Sequence, residues 1–301
     1  RLRGTVTNES DETIASPAVV LGGTVAALDD LAPGQTATVD VPIDRFEPGR
    51  LLTERIVGPV FFGDTSKVSD DQARTYARQL IINQLSVDPN GGPTGQLPAD
   101  GPVILGWADR SLLPIVVEGH QARRTANILW FIPTELQATG WARFGADLMR
   151  STVVREDADI FSRDQYSVSF GEGEVEMSYR PVAFGGSIDP TELVVGIHTF
   201  GGGNLGKPQA IAPLPEIPPP CNAADDPGCF QFDGIPEIEL FDLTTDEWVR
   251  LPHVTGGVRY AVDDPARYVD PATGTVQVKL VNERPDQVYF SLELEITGTI
   301  Q

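Results

Sequence analysis

VYFSLELEITGTI, residues 288–300, decides the fold class. Val288, Phe290, Leu292, Leu294 and Ile296 fall on one parity, and Tyr289, Ser291, Glu293 and Glu295 on the other. This period of two belongs to a strand with one face in a core and the other in water. The alternation recurs upstream: Val175, Met177 and Tyr179 against Glu174, Glu176 and Ser178; Ile238 and Leu240 against Glu237 and Glu239; Val276, Val278 and Leu280 against Gln277 and Lys279. Half-dry strands of this kind pack as antiparallel sheets face to face, so residues 146–301 read as a β-sandwich of jelly-roll type.

The opening of the chain alternates in the same way. Leu2, Gly4 and Val6 oppose Arg3, Thr5 and Thr7, and after a turn at Pro33-Gly34 a second alternation runs from Thr36 to Ile43. A helical insertion is expected around 46–101. Its clearest part is SDDQARTYARQLIINQL, 69–85, where Ser69 and Gln72 form a capping box, Asp70 and Asp71 suit the positive helix end, and Ala73, Tyr76, Ala77, Leu80 and Ile81 make one apolar face. Strands resume at Pro102–Trp107, Leu113–Val117 and Asn127–Ile132, the first and last apolar enough for burial on both faces. The polar tip GHQARR between them carries His120, Arg123 and Arg124 and reads as a solvated loop, with anion binding as the alternative.

Composition narrows the function classes. With 41% hydrophobic residues the 301-residue chain can bury real cores, and 30 Gly with 25 Pro suit many short strands joined by turns. The net charge of −21 repels polyanions, which excludes nucleic acid as an expected partner. There are only three Lys among the 22 basic residues, Lys67, Lys207 and Lys279, so the cations are nearly all Arg. No apolar run approaches the roughly 18 residues that read as a membrane span. The chain starts at Arg1 without a signal-like segment, as expected of a processed or excised portion of a longer precursor; a membrane anchor is expected only outside this chain.

The two cysteines, Cys221 and Cys229, flank an Asp-Pro-Gly turn in PPPCNAADDPGCF, a spacing that lets them meet in a disulfide and suits an extracytoplasmic protein. The rival, a two-thiolate metal site, lacks nearby ligands. Gly201 to Lys207 imitates the start of a phosphate-binding loop, but Pro208 replaces its hydroxyl, and prolines at 213, 215, 218, 219 and 220 prevent the helix that such a loop needs.

Two stretches carry resemblances. Gly4, Val6 and Asn8 with Leu31, Pro33, Gly34, Gln35, Val39 and Val41 resemble small immunoglobulin-like modules of bacterial surface proteins. IELFDLTTDEWVRL, 238–251, with its Asp242, Thr245 and Trp248, followed by ARYVDPATGTVQVKLVN and the final strand, resembles the C-terminal extracytoplasmic region of uncharacterised bacterial membrane proteins. Together they imply a mainly β chain of two antiparallel β-sandwich domains, Ig-like over 1–145 and jelly-roll-like over 146–301.

Catalytic constellations are sparse. His120, His198 and His253 are scattered, with neither a nucleophile elbow nor a zinc-binding His pair, so no enzyme activity is expected. Acidic turns offer oxygen ligands for calcium at Asp157, Asp159 and Asp164, at Asp225 and Asp226, and at Asp263 and Asp264, although none has EF-hand spacing. Trp248, Tyr260 and Tyr268, with Tyr289, are the aromatics a glycan platform would use, against a role in packing. The expected function is a non-catalytic, extracytoplasmic structural or interaction module of a bacterial cell-surface protein, meeting protein neighbours or further copies of itself; a carbohydrate-binding module is the alternative, and a hydrolase a third. The Gly- and Pro-rich loop 201–234 is the expected contact surface.

Overall fold

A computed structural model describes residues 1–43, 52–59, 69–86, 97–108, 127–136, 138–163, 167–182, 184–198, 209–210, 235–252 and 258–301. The strand expected at Leu113–Val117, the tip residues His120, Arg123 and Arg124, and the phosphate-loop imitation lie outside these residues. So do Cys221, Cys229, Asp164, Asp225, Asp226, His253 and, apart from Gln209 and Ala210, the loop 201–234. The chain is mainly β, with antiparallel sheets and two α-helices among the described residues. It divides into two units, Arg1–Leu136 and Gln137–Gln301.

The first unit contains β1 (Leu2–Thr7), β2 (Ala15–Leu21), β3 (Thr24–Ala27), β4 (Thr36–Val41), α1 (Leu52–Val57), α2 (Asp70–Leu85), β5 (Val103–Ala108) and β6 (Ile128–Pro133). β1 pairs with β4, and β3-β2-β5-β6 form a four-stranded antiparallel sheet. Asn8 explains why the chain turns back between β1 and β4. Its buried side-chain amide donates to the carbonyls of Glu12 and Leu31, and its carbonyl oxygen accepts from the backbone and hydroxyl of Ser10. Gly34, at φ +75°, supplies the left-handed turn residue, and Gln35 closes it by accepting from Ala32 N. Asn8, Gly34 and Gln35 of the N-terminal motif thus each have a local structural task.

One face of the four-stranded sheet packs against the helices. Ala18, Val20, Val103, Leu105 and Trp107 form a buried cluster with Ile82 and Leu97, flanked by Leu52, Ile56, Ile81, Leu85, Leu129 and Phe131. β5 is buried on both faces as read from its sequence, but β6 is only half-buried: among the described residues it is the last strand of the sheet, with β5 its one neighbour. The capping box of α2 is present: Gln72 N donates to Ser69 Oγ at 3.2 Å and Ser69 N to Gln72 Oε1 at 3.0 Å. The expected helix face is rotated, however. Tyr76 and Leu80 are 43% and 44% exposed, whereas Arg78, Ile81, Ile82 and Leu85 make the packed row. Arg78 holds its place in that row by laying its guanidinium 4.7 Å from the centre of the Trp107 ring, so a cation occupies a core-facing position.

The second unit contains β7 (Gly140–Phe144), β8 (Met149–Glu156), β9 (Ile160–Arg163), β10 (Ser167–Phe170), β11 (Gly173–Pro181), β12 (Ile188–His198), β13 (Gln209–Ala210), β14 (Glu237–Asp242), β15 (Glu247–Arg250), β16 (Val258–Val262), β17 (Val276–Asn282) and β18 (Val288–Ile300). One sheet runs β13-β16-β12-β18-β10-β9, with β7 beside β10 on the same edge of β18; the other runs β15-β14-β17-β11-β8. β18 is its spine. Ser291–Ile300 pair with β12, while the opposite edge is shared by β10 at Val288–Ser291 and β7 at Ile296–Ile300. That pairing draws Gly140–Phe144 into the second unit, so the division falls before the 145/146 boundary read from the sequence. Both sheets bury one face, as a β-sandwich does: Leu193, Val195, Ile197, Leu292, Leu294 and Ile296 on one, Val175, Met177, Ile238, Leu240, Val276, Val278 and Leu280 on the other.

Candidate interaction surface

β8 and β9 follow one another in the chain yet end different sheets, β8 the five-stranded and β9 the seven-stranded. The turn Asp157-Ala158-Asp159 carries the chain from one to the other: Asp157 N donates to Glu174 O at 3.0 Å, and Gly171 N to Asp159 O at 3.0 Å. Arg163 ties the two edges together by donating Nη2 to Ser151 O at 2.8 Å. Among the described residues neither edge has a further strand beside it, and the two form one lateral side of the sandwich.

Both edge strands are bulged. Against β11, Glu176 pairs with Arg155 and Met177 with Val153, leaving Val154 without a partner. Against β10, Ser169 pairs with Ser162 and Phe170 with Ile160, leaving Phe161 without one. A bulge inserts a residue, breaks the ladder and re-aims a side chain. Here the inserted residues are apolar and face water, Val154 at 64% and Phe161 at 59% exposure. Phe161 rests its ring edge over Gly171, where an added Cβ would lie 3.5 Å from Cε2. The bulges interrupt the open ladders, which disfavours strand addition, while they offer two apolar knobs.

Of the described residues selected from the sequence, only Asp157 and Asp159 adjoin this edge. Asp157 and Asp159 lie in the β8–β9 turn, where Asp157 Oδ1 accepts from Glu174 N at 2.6 Å. Asp263 and Asp264 lie in the turn after β16, with Asp264 left-handed at φ +52° before the short 3-10 turn Pro265–Arg267. Among the described residues no group of three or more His, Cys, Asp or Glu side chains is placed to hold a metal.

Two of the glycan candidates are packing groups, and Trp248 is half-buried. Tyr260 and Tyr268 are buried, so neither has a ring face for a sugar. Tyr260 shares the parity of the buried Val262 and stands opposite Val195, on the inner face. Trp248 meets Phe241 edge to face at 5.2 Å, and the Lys279 ammonium stands 5.1 Å from its ring centre.

The hairpin motif around Trp248 closes on the buried carboxylate of Asp242. Oδ1 accepts from Thr244 N at 2.8 Å and Thr244 Oγ1 at 2.6 Å, and Oδ2 accepts from Arg267 Nε at 3.0 Å and Nη2. These bonds, the Arg267 bond foremost, hold the Asp242 carboxyl far below the usual carboxylate range although burial opposes them.

Sequence reasoning missed Val154, Phe161 and a third exposed group, Trp141, 72% exposed on β7. A signal existed for each. Val153-Val154 and Ile160-Phe161 are adjacent apolar pairs that a period of two cannot put on one face, and Trp141 is three residues from the buried Phe144, hence on the opposite side.

Fold and surface together define a two-unit, mainly β chain whose second unit has an open, bulged lateral edge. Residues 1–137, which cover the first unit and one residue beyond it, match the model of a domain of unknown function, DUF8725. No curated protein and no solved structure matches the chain.

Proposed function

We propose that this chain is a non-catalytic structural and interaction module of an extracytoplasmic protein at a bacterial cell surface, and that the β8–β9 edge meets a neighbouring copy. The observation that carries the reading is the pair of bulges, each of which spends its inserted residue on an exposed apolar side chain. Burying one Val and one Phe contributes about 1.5–3 kcal/mol each, against the roughly 8 kcal/mol of a micromolar complex. A single contact of this size is weak, so the edge suits an array or filament in which many copies act together. The resemblance of the hairpin motif to extracytoplasmic regions of membrane proteins, and of the N-terminal motif to immunoglobulin-like modules, supports the location. The net charge of −21 keeps isolated copies soluble and opposes indiscriminate clustering.

Sedimentation velocity over a rising concentration series tests the proposal. The wild-type chain is expected to self-associate, and Val154→Asp with Phe161→Asp to remain monomeric with an unchanged melting temperature. Association that is absent in the wild type, or undiminished in the double variant, overturns it. Protease shaving of intact cells producing the full-length protein tests the location, with cleavage expected from outside.

A further inference from the structure

The outward face of the seven-stranded sheet carries a second surface, independent of the β8–β9 edge. Strand register aligns Trp141 of β7 with Thr299 of β18 and Thr299 with Asp189 of β12; the next row on the same face is Arg143, Thr297 and Glu192. Trp141 is the most exposed large hydrophobic residue among those described, at 72%. Thr299, Asp189 and Glu192 are exposed beside it. Arg143 is held in place, its Nε donating to Glu295 Oε2 at 3.0 Å, and Glu295 is in turn paired with Arg259. Thr297 Oγ1 donates to Glu192 Oε2 at 3.3 Å.

The surface thus presents one flat indole on a regular strand, with a guanidinium on the same strand, a hydroxyl one strand spacing of about 4.8 Å away and two carboxylates a further spacing beyond. A protein-docking centre needs several apolar groups and few charges, and this patch has one apolar ring among charged and hydroxylic groups. The carboxylates Asp189 and Glu192 repel anionic ligands. A short oligosaccharide fits all of it: one sugar lays its C–H face on the indole and accepts from Arg143, and the hydroxyls of its neighbour donate to the carboxylates two strands away. We infer that Trp141, Arg143, Asp189, Glu192 and Thr299 form a binding platform for a neutral glycan. Because the platform lies on paired strands, its geometry exists before the ligand arrives, which limits the ordering cost of binding.

The test is a titration of the whole chain with neutral oligosaccharides of the cello, xylo, manno and chito series, read by calorimetry and by tryptophan emission. Of the four tryptophans Trp107 is buried, Trp130 and Trp248 are half-buried and Trp141 is exposed, so a blue shift on binding is expected to come from Trp141 and to vanish in Trp141→Phe. Affinity is expected to fall at least tenfold in Trp141→Ala and several-fold in Asp189→Asn with Glu192→Gln, and to stay unchanged in Trp248→Ala. The inference is overturned if no neutral oligosaccharide binds, if only acidic or sulfated glycans bind, or if Trp141→Ala keeps wild-type affinity. It is equally overturned if Trp141→Ala abolishes self-association and leaves sugar binding intact.

Discussion

Arg267 Nε donates to the buried carboxylate of Asp242 across 3.0 Å, and this contact fastens the short turn Pro265–Arg267 to the tip of the β14–β15 hairpin. Leu243 N donating to Arg267 O at 2.7 Å secures the same join from the backbone.

That contact makes stability depend on acid. The carboxyl of Asp242 is depressed in the folded protein, by Arg267 first and Thr244 next, from an unfolded value of about 3.9. Its contribution is therefore fully present above about pH 4 and is lost as the pH falls through the folded value. Scanning calorimetry is expected to show the second unit melting earlier as the solution is acidified below about pH 4. Asp242→Asn is expected to melt lower than wild type at pH 7 and to lose part of that acid dependence. A variant whose acid limb matches wild type would separate the contact from the effect.

The spine strand allows a comparison of core and edge. Leu294 is 1% exposed, so Leu294→Ala should destabilise by about 2–5 kcal/mol in urea unfolding. Val154, on its bulge, faces water, and Val154→Ser should change stability by no more than about 0.5 kcal/mol.

Gly106 is set by close approach. A Cβ added there would lie 2.2 Å from Ile14 Cγ2. Gly106→Ala should destabilise the first unit by about 1–3 kcal/mol. In Ile14→Ala the clashing methyl is gone, and the double-mutant cycle should show coupling of at least about 0.5 kcal/mol.

The start of α2 depends on a single side chain. Ser69→Ala removes the acceptor for Gln72 N and should cost about 0.5–2 kcal/mol, while Ser69→Asp, which keeps an acceptor beside the positive helix end, should recover most of it. Chemical denaturation of residues 1–136 within the whole chain reads both.

Much of the fold could be read from particular residues before any coordinates. Alternation along β18, β11, β14 and β17 marked which side chains enter the core, because a pleated strand has only two faces. Ser69 with Gln72 marked the start of α2, because capping is a contact within four residues. Asn8, Gly34 and Gln35 marked the β1–β4 connection for the same local reason.

What escaped the sequence reading depends on partners remote in the chain. Arg78 displaces Tyr76 and Leu80 from the core-facing row because Trp107, on another element, offers it a ring. Gly140–Phe144 joins the second unit because β18, more than a hundred residues later, has a free edge of the right length. Tyr260 and Tyr268 resemble ligand-binding aromatics in sequence and are packing groups in space, while Trp141, unmarked by any motif, faces water. Local hydrogen bonds and parity belong to the sequence itself, since they need only the chain's own geometry over a few residues. The bulges that expose Val154 and Phe161 are decided by the register of β8 against β11 and of β9 against β10, and the row that holds Trp141, Thr299 and Asp189 by the register of β18 against the remote strands β7 and β12; only the tertiary structure sets these registers.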